Sequence, residues 1–251
     1  MSLEQFFQSV ERRDLSLVVV NRETPRPIQS MLEGLFEQQS IEIRQEQIPD
    51  EAADTVYLVD DGKVIESSPL TEVQESILLV NSDLYITGAR GLSEIELPDV
   101  IRALEDVRFT LRGYPESHKE KLLLITVSRY IERLALDTMN GTIRSSFQRL
   151  SRINDEQGTR TVYEKLAASP VDTHVYGIPD WTPPPEFDIT MHGGWSDEFR
   201  DAWFVVFVPD ADDGPHSALL SLETSPGVWD GFWTFDPERV TDIAQYLQRE
   251  L

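Results

Sequence analysis

The 251-residue sequence contains no cysteine. That removes disulfides, thiolate nucleophiles and zinc or iron–sulfur sites ligated by cysteine. Lysine is nearly missing too: only Lys63, Lys119, Lys121 and Lys165 occur, so arginine carries almost all the positive charge. The longest strongly apolar run, Leu122–Val127, is far short of the roughly 20 residues that a membrane helix needs. Met1–Arg13 sets Glu4, Glu11, Arg12 and Arg13 around an amphipathic pattern, which is not an export signal. These absences predict a cytoplasmic protein with no membrane partner.

Catalytic signatures are missing as well. There is no G-x-S-x-G elbow, no phosphate-binding P-loop, no G-x-G-x-x-G turn and no H-E-x-x-H helix. Asp210–Gly214 has a calcium-loop look. With Gly214 at the sixth loop position, however, Pro209 and Leu220 fall where carboxylates are needed. His118, His174, His192 and His216 are too scattered for a metal-ligand spacing. No catalytic residue, metal or cofactor is expected.

What is abundant is acid. Asp and Glu number 45 against 22 Lys and Arg, for a net charge of −23, and they run from Glu4 to Glu250 without forming a tail. Such a surface suits concentrated salt, where at about 1 M the Debye length falls to roughly 3 Å and self-repulsion is screened. The expectation is a halophile's cytosol; an ordinary acidic protein is the alternative. No basic stripe compensates, which disfavours nucleic acid as a partner. With apolar residues at 40%, a packed core can form.

The pattern predicts a mixed α/β (α+β) protein, helices packed on mixed β-sheets, with a strand-rich C-terminal half closed by a C-terminal helix. Ser2–Gln5 has capping-box spacing before Leu3, Phe6, Phe7 and Val10. Leu15–Val20 reads as a buried strand, and Thr24-Pro25 opens a helix bearing Ile28, Met31, Leu32, Leu35 and Phe36. Ile41–Arg44 is a short strand. Val56–Val59 and Lys63–Glu66 flank the turn Asp60-Asp61-Gly62 as a hairpin. Ser68-Pro69 starts a helix with Leu70, Val73 and Ile77, and Leu84–Thr87 is a further strand. Gly88–Tyr114 reads as an irregular connection with a short helix around Val100–Leu104. We accordingly expect an N-terminal module over 1–112 and a second domain over 113–251.

A helix is expected over Glu116–Asp137, either a core helix or one that contacts a second subunit. Ile143–Leu150, Val171–Tyr176, Phe187–His192, Trp203–Val208, Ala218–Glu223 and Phe232–Phe235 read as strands. Thr159–Ser169 is a helix between the first two. Asp236-Pro237-Glu238 opens the last helix, with Val240, Ile243, Ala244, Leu247 and Leu251 on one face.

All five tryptophans, Trp181, Trp195, Trp203, Trp229 and Trp233, lie in the second half. Strand alternation puts Asp172, His174 and Tyr176 on one face, and Asp188, Thr190 and His192 on one face of a second strand. If these strands are neighbours, His174, Tyr176 and His192 line one hollow walled by tryptophans, the make-up of a small-molecule pocket. The alternative is that the tryptophans are core and the histidines sit on a wet sheet face.

The wording of the second half is distinctive. Gly141–Arg152 (GTIRSSFQRLSR) precedes Glu156–Arg160 (EQGTR) and Tyr163–Ala167 (YEKLA). His174–Trp181 (HVYGIPDW), Trp203–Phe207 (WFVVF) and Gly231–Asp236 (GFWTFD) follow. Together they resemble the DICT sensory domain of diguanylate cyclases and two-component systems, over roughly Pro115 to Asp236. The likeness is closest to short stand-alone members from halophilic archaea. It implies signal sensing and brings no established ligand or catalytic residue. No output module is recognisable in the sequence, so a signal must leave through another protein or subunit, or through an activity of the first half.

The expected function is therefore a non-enzymatic sensor that binds a small ligand or a partner through its C-terminal domain. An interaction adaptor without ligand and an enzyme on a small metabolite are the competing readings. Candidate ligand-binding residues are Gln148, His174, Tyr176, Asp180, Trp181, His192, Trp203 and Trp233. Expected partners are an unidentified small molecule, a signalling output protein and a second copy of the chain.

Overall fold

Leu15–Val20 is apolar at every position but Ser16 and forms β1, the second strand of a four-stranded sheet ordered β2-β1-β3-β4. The computed structural model describes residues 2–10, 13, 15–24, 41–49, 51–76, 96–112, 118–185 and 187–251. The helix expected to carry Ile28 to Phe36, the end of the next one at Ile77 and the strand Leu84–Thr87 lie outside these residues. β2 (Ile41–Glu46) runs parallel to β1, while β3 (Thr55–Asp60) and β4 (Lys63–Pro69) are antiparallel. The expected hairpin is present. Asp60 pairs with Lys63, and both turn residues have positive φ, Asp61 at 45° and Gly62 at 75°, as a tight two-residue loop requires. Residues 70–76 are helical (α2) and bury Leu70 and Val73.

The larger sheet has seven strands in the order β5-β11-β10-β9-β6-β7-β8. These are β5 (Phe109–Arg112), β6 (Thr142–Arg149), β7 (Asp172–Ile178), β8 (Thr190–Gly193), β9 (Ala202–Val208), β10 (Ser217–Ser225) and β11 (Val228–Thr234). β6, β7 and β8 are parallel to one another, and the other pairings are antiparallel. Parallel strands need a crossover. Between β6 and β7 it is α5 (Arg152–Asp155) and α6 (Gln157–Ala167). Phe187–His192 was expected to be extended throughout, but pairing begins only at Thr190, because Phe187 packs edge-on against Trp181 instead.

Each face of this sheet has its own core. On one lies α4 (His118–Thr138), whose residues 122–132 are all buried. That stretch is a core element with no side left for a second subunit. Its cluster also takes in buried residues of the smaller sheet and of α3 (Asp99–Arg102). The opposite face is covered by α8 (Pro237–Glu250) and by α1 (Glu4–Gln8), which brings Phe7 edge-on to Phe232 at 5.1 Å. α8 starts as expected: Asp236 accepts from the Arg239 amide, and Pro237 occupies the first turn. α1 does not use the predicted box. Leu3 is its cap residue, and the Leu3 amide donates 3.1 Å to Glu198 in α7 (Asp197–Arg200).

Phe109–Arg112 falls in the segment read as irregular, yet it is the edge strand of the larger sheet. Four residues are too few to show alternation. Its fit is set by Gly231, where a Cβ would come within 2.4 Å of the Phe109 ring.

Candidate functional site

β6 pairs with β7 in regular register up to Ser146–Tyr176, then slips, so that the next pair is Arg149–Ile178. Gln148 sits in this bulge with φ 55°, a left-handed conformation that a non-glycine residue rarely holds. Side chains secure it. Gln148 Nε2 and Ser146 Oγ both donate to the Ala202 carbonyl, at 2.8 and 2.9 Å, and Gln148 Oε1 accepts from Arg152. Under the bulge is a pocket of about 50 Å³, bordered among others by Ser128, Phe147, Gln148, Arg152 and Trp203.

The side of this pocket formed by α4 is polar. Arg129 donates to Glu132 at 2.6 Å and to the Thr159 hydroxyl at 3.0 Å, and Thr159 in turn donates to Glu156 at 3.2 Å. The Tyr163 hydroxyl donates to the other Glu132 oxygen at 3.1 Å. Burial pushes the Tyr163 phenol well above its usual value, and the Glu132 carboxylate adds to the rise. Burial works to lower the Arg129 value, but Glu132 outweighs it and the guanidinium is raised. The pair is thus a fixed ion pair. Ser128 differs, since its Oγ is buried and has no hydrogen-bond partner among the described residues.

A second constellation occupies the opposite face. Asp172 Oδ2 and His174 Nε2 are 2.9 Å apart, and His174 Nδ1 and His192 Nε2 are also 2.9 Å apart. The His192 ring stacks on Tyr176 with centroids 4.3 Å apart, and the Tyr176 hydroxyl accepts from Arg144 at 2.8 Å. Neighbouring parallel strands put these side chains in one row. Burial, then His174 and Arg144, lower the His192 value, so the imidazole is held neutral.

The eight expected residues therefore occupy several places and do not surround one hollow. His174, Tyr176 and His192 do come together, but packed ring on ring. Gln148 and Trp203 border the bulge pocket on the other face. Asp180 ties the start of α5, accepting from the Ser151 amide (2.9 Å) and hydroxyl (3.0 Å). Burial acts to raise its carboxyl, yet those bonds bring it below the usual range. Trp181 borders a surface depression with Pro184 and Phe187. Trp233 is core, 2% exposed and 5.4 Å from Phe109. Ser128, Arg129, Glu132 and Thr159 escaped the sequence reading. A signal was there: Ser128, Arg129 and Glu132 interrupt a helical stretch that is otherwise apolar but for Thr126, at i, i+1 and i+4, one side of the helix.

Among the described residues no group of three or more His, Asp or Glu is placed to hold a metal ion, and no helix is long and apolar enough to cross a membrane.

Residues 100–222 match the model of the DICT family, described as a sensory domain in diguanylate cyclases and two-component systems. The match takes in just under half of the chain, and both constellations fall inside it; β11, with Trp233, and α8 do not. No curated protein matches the chain. Among solved structures, a polyphosphate kinase from Porphyromonas gingivalis aligns with 65% of this chain at 15% identity and a TM-score of 0.36. The chain spans 26% of that structure, a likeness too slight to bear on fold or activity.

Proposed function

We propose that the chain is a non-enzymatic sensor and that the pocket under the β6 bulge is its receptor site. One observation carries the reading: a left-handed Gln148, held by two side-chain hydrogen bonds, roofs a pocket beside a buried hydroxyl that has no partner among the described residues. Backbone strain and an unsatisfied polar group both cost stability, and they persist where something is bound or switched. The DICT match supports the sensory half of the statement. Four of the pocket-bordering residues, Ile125, Ser128, Arg129 and Glu132, lie on α4, so a ligand there acts directly on the central core helix. Selective occupancy of one arrangement of α4 is how such a site reports.

A protein partner also has a specific mark. Trp195, just past β8, is 70% exposed, and among the described residues β8 is the edge of its sheet; exposed tryptophan next to an unpaired strand edge is a docking feature. In this reading the partner carries the output and the bulge pocket sets its affinity.

Thermal denaturation of the full chain in molar KCl, against a panel of nucleotides and small metabolites, tests the receptor. A compound that raises the melting temperature of the wild type and not of Trp203→Ala supports it. A flat panel, with equal behaviour of the two proteins, rejects it.

A further inference from the structure

We propose that Asp172, His174 and His192 form a proton-operated latch between β7 and β8, so that acid frees β8 and the proton itself acts as a signal. The latch is independent of the receptor reading, because none of its residues borders the bulge pocket.

Counting hydrogens fixes the closed form. An ionised Asp172 only accepts, so His174 Nε2 carries the hydrogen between the two. Neutral His174 then has its lone pair at Nδ1, and the 2.9 Å contact with His192 is completed by a hydrogen on His192 Nε2. One added proton is tolerated on either ring, because the other nitrogen of the contact still offers a lone pair. Two are not. Both nitrogens then carry hydrogen, the bond between the strands is lost, and two cations adjoin where both rings are partly buried.

Little else fastens β8. It has four residues, and among the described residues it pairs with β7 alone. Of its two side chains on this face, Thr190 is exposed, while His192 makes both ties to β7, the bond to His174 and the stack on Tyr176. On the other face Met191 is only partly buried, and Gly193 has no side chain. The Gly194 amide donates to the Gly177 carbonyl at 3.2 Å and Trp195 follows directly, so the exposed ring moves with the strand.

The charges around the pair set its resting state. Arg144 on β6 opposes a proton on His192, and Asp172 on β7 favours it. Tyr176 lies against the ring, and Asp188, ahead of β8, borders a surface depression with Asp172 and Thr190. The charged side chains of α7, which packs on β7, are engaged elsewhere: Asp197 with Arg200, and Glu198 with the Leu3 amide and the Tyr246 phenol. Burial sides with Arg144 and outweighs Asp172, so the latch is closed at neutral pH.

Hydrogen–deuterium exchange of the full chain tests this, read as protection factors of residues 190–194 and of β9 from about pH 7.5 to about pH 4.5. The expected result is a loss of protection of roughly tenfold in 190–194, from one lost hydrogen bond and the added repulsion, while β9 keeps its own. His192→Phe keeps a ring on Tyr176 and lacks the bond, so its 190–194 segment is poorly protected at every pH. His174→Gln keeps a hydrogen-bonding group that takes up no proton, so its segment stays protected throughout. Wild-type protection of 190–194 that does not fall, or that falls in step with β9, overturns the latch. So does an equal fall with acid in either variant.

Discussion

The phenol ring of Tyr176 lies flat on the imidazole of His192, 4.3 Å between centroids and 7° between planes. This stack ties the four-residue edge strand β8 to β7, and it puts a titratable ring beside the buried Arg144 that bonds the same tyrosine.

A pH dependence follows. Groups facing His192 are Arg144 on β6, Asp172, His174 and Tyr176 on β7. Burial first, then His174 and Arg144, depress its folded value, whereas the unfolded chain titrates near about 6.5. Below that pH the unfolded state takes up a proton that the folded state resists. The contribution is therefore full above about pH 6.5 and is lost as the pH falls through the lower folded value. Urea unfolding of wild type and His192→Phe checks this: wild type loses stability relative to the variant as the pH drops below about 6.5. A difference that does not vary with pH would refute it.

Arg144 is 8% exposed, and among the described residues its one side-chain hydrogen bond goes to Tyr176 and no carboxylate pairs with it. Tyr176→Phe strands that guanidinium and should cost about 1–3 kcal/mol. The double variant with Arg144→Met recovers part of the loss, because the orphaned charge is gone. Denaturant midpoints read both. A single-variant cost below about 0.5 kcal/mol would show that water reaches Arg144.

The Arg129–Glu132 pair gives a sharper contrast. Glu132 is 2% exposed and holds two donors, so Glu132→Leu leaves Arg129 buried without the carboxylate bonded to it, at a cost of about 3–5 kcal/mol. Adding Arg129→Met removes the uncompensated charge and should restore most of the stability. If the double variant is no better than the single one, the pair does not act as a unit.

Much of the fold was legible because it rests on local periodicity. The runs of β1, β9 and β10, the Asp-Gly hairpin turn and the capped α8 all have local signals of their own. Non-local features were not legible. Phe109–Arg112 becomes a strand because β11 offers a partner and Gly231 clears room for the Phe109 ring, neither of which its own four residues encode. Sheet order decided the site. Alternation correctly put His174 and Tyr176 on one face, but whether Trp233 lies near them depends on which strands and helices lie between. The order β11-β10-β9-β6-β7-β8 sets Trp233 four strands from Tyr176, in the other core. The bulge at Gln148 has no sequence mark, since glutamine is not a residue that favours left-handed backbone.

Trp233 and Trp195 test burial directly. Trp233→Ala removes a ring that is 2% exposed and should cost about 3–5 kcal/mol. Trp195→Ala touches a residue 70% exposed and should stay within about 0.5 kcal/mol. A partner recovered with wild type and lost with Trp195→Ala would at the same time assign the exposed ring to docking.

The net charge of −23 predicts the response to salt. Folding gathers the carboxylates into a smaller volume than the unfolded chain occupies, so their repulsion weighs more on the folded state. Raising KCl from about 0.1 M to 1 M shortens the Debye length from about 10 Å to 3 Å and removes most of that penalty. Exposed ion pairs weaken over the same range, but these are worth little each: Arg160–Glu164, for instance, is about half exposed on both sides. Repulsion is thus the larger of the two effects, and the melting temperature should rise steadily with KCl. A melting temperature that falls with KCl would mean that attractive pairs outweigh the excess of acid, and the concentrated-salt reading of this surface would be lost.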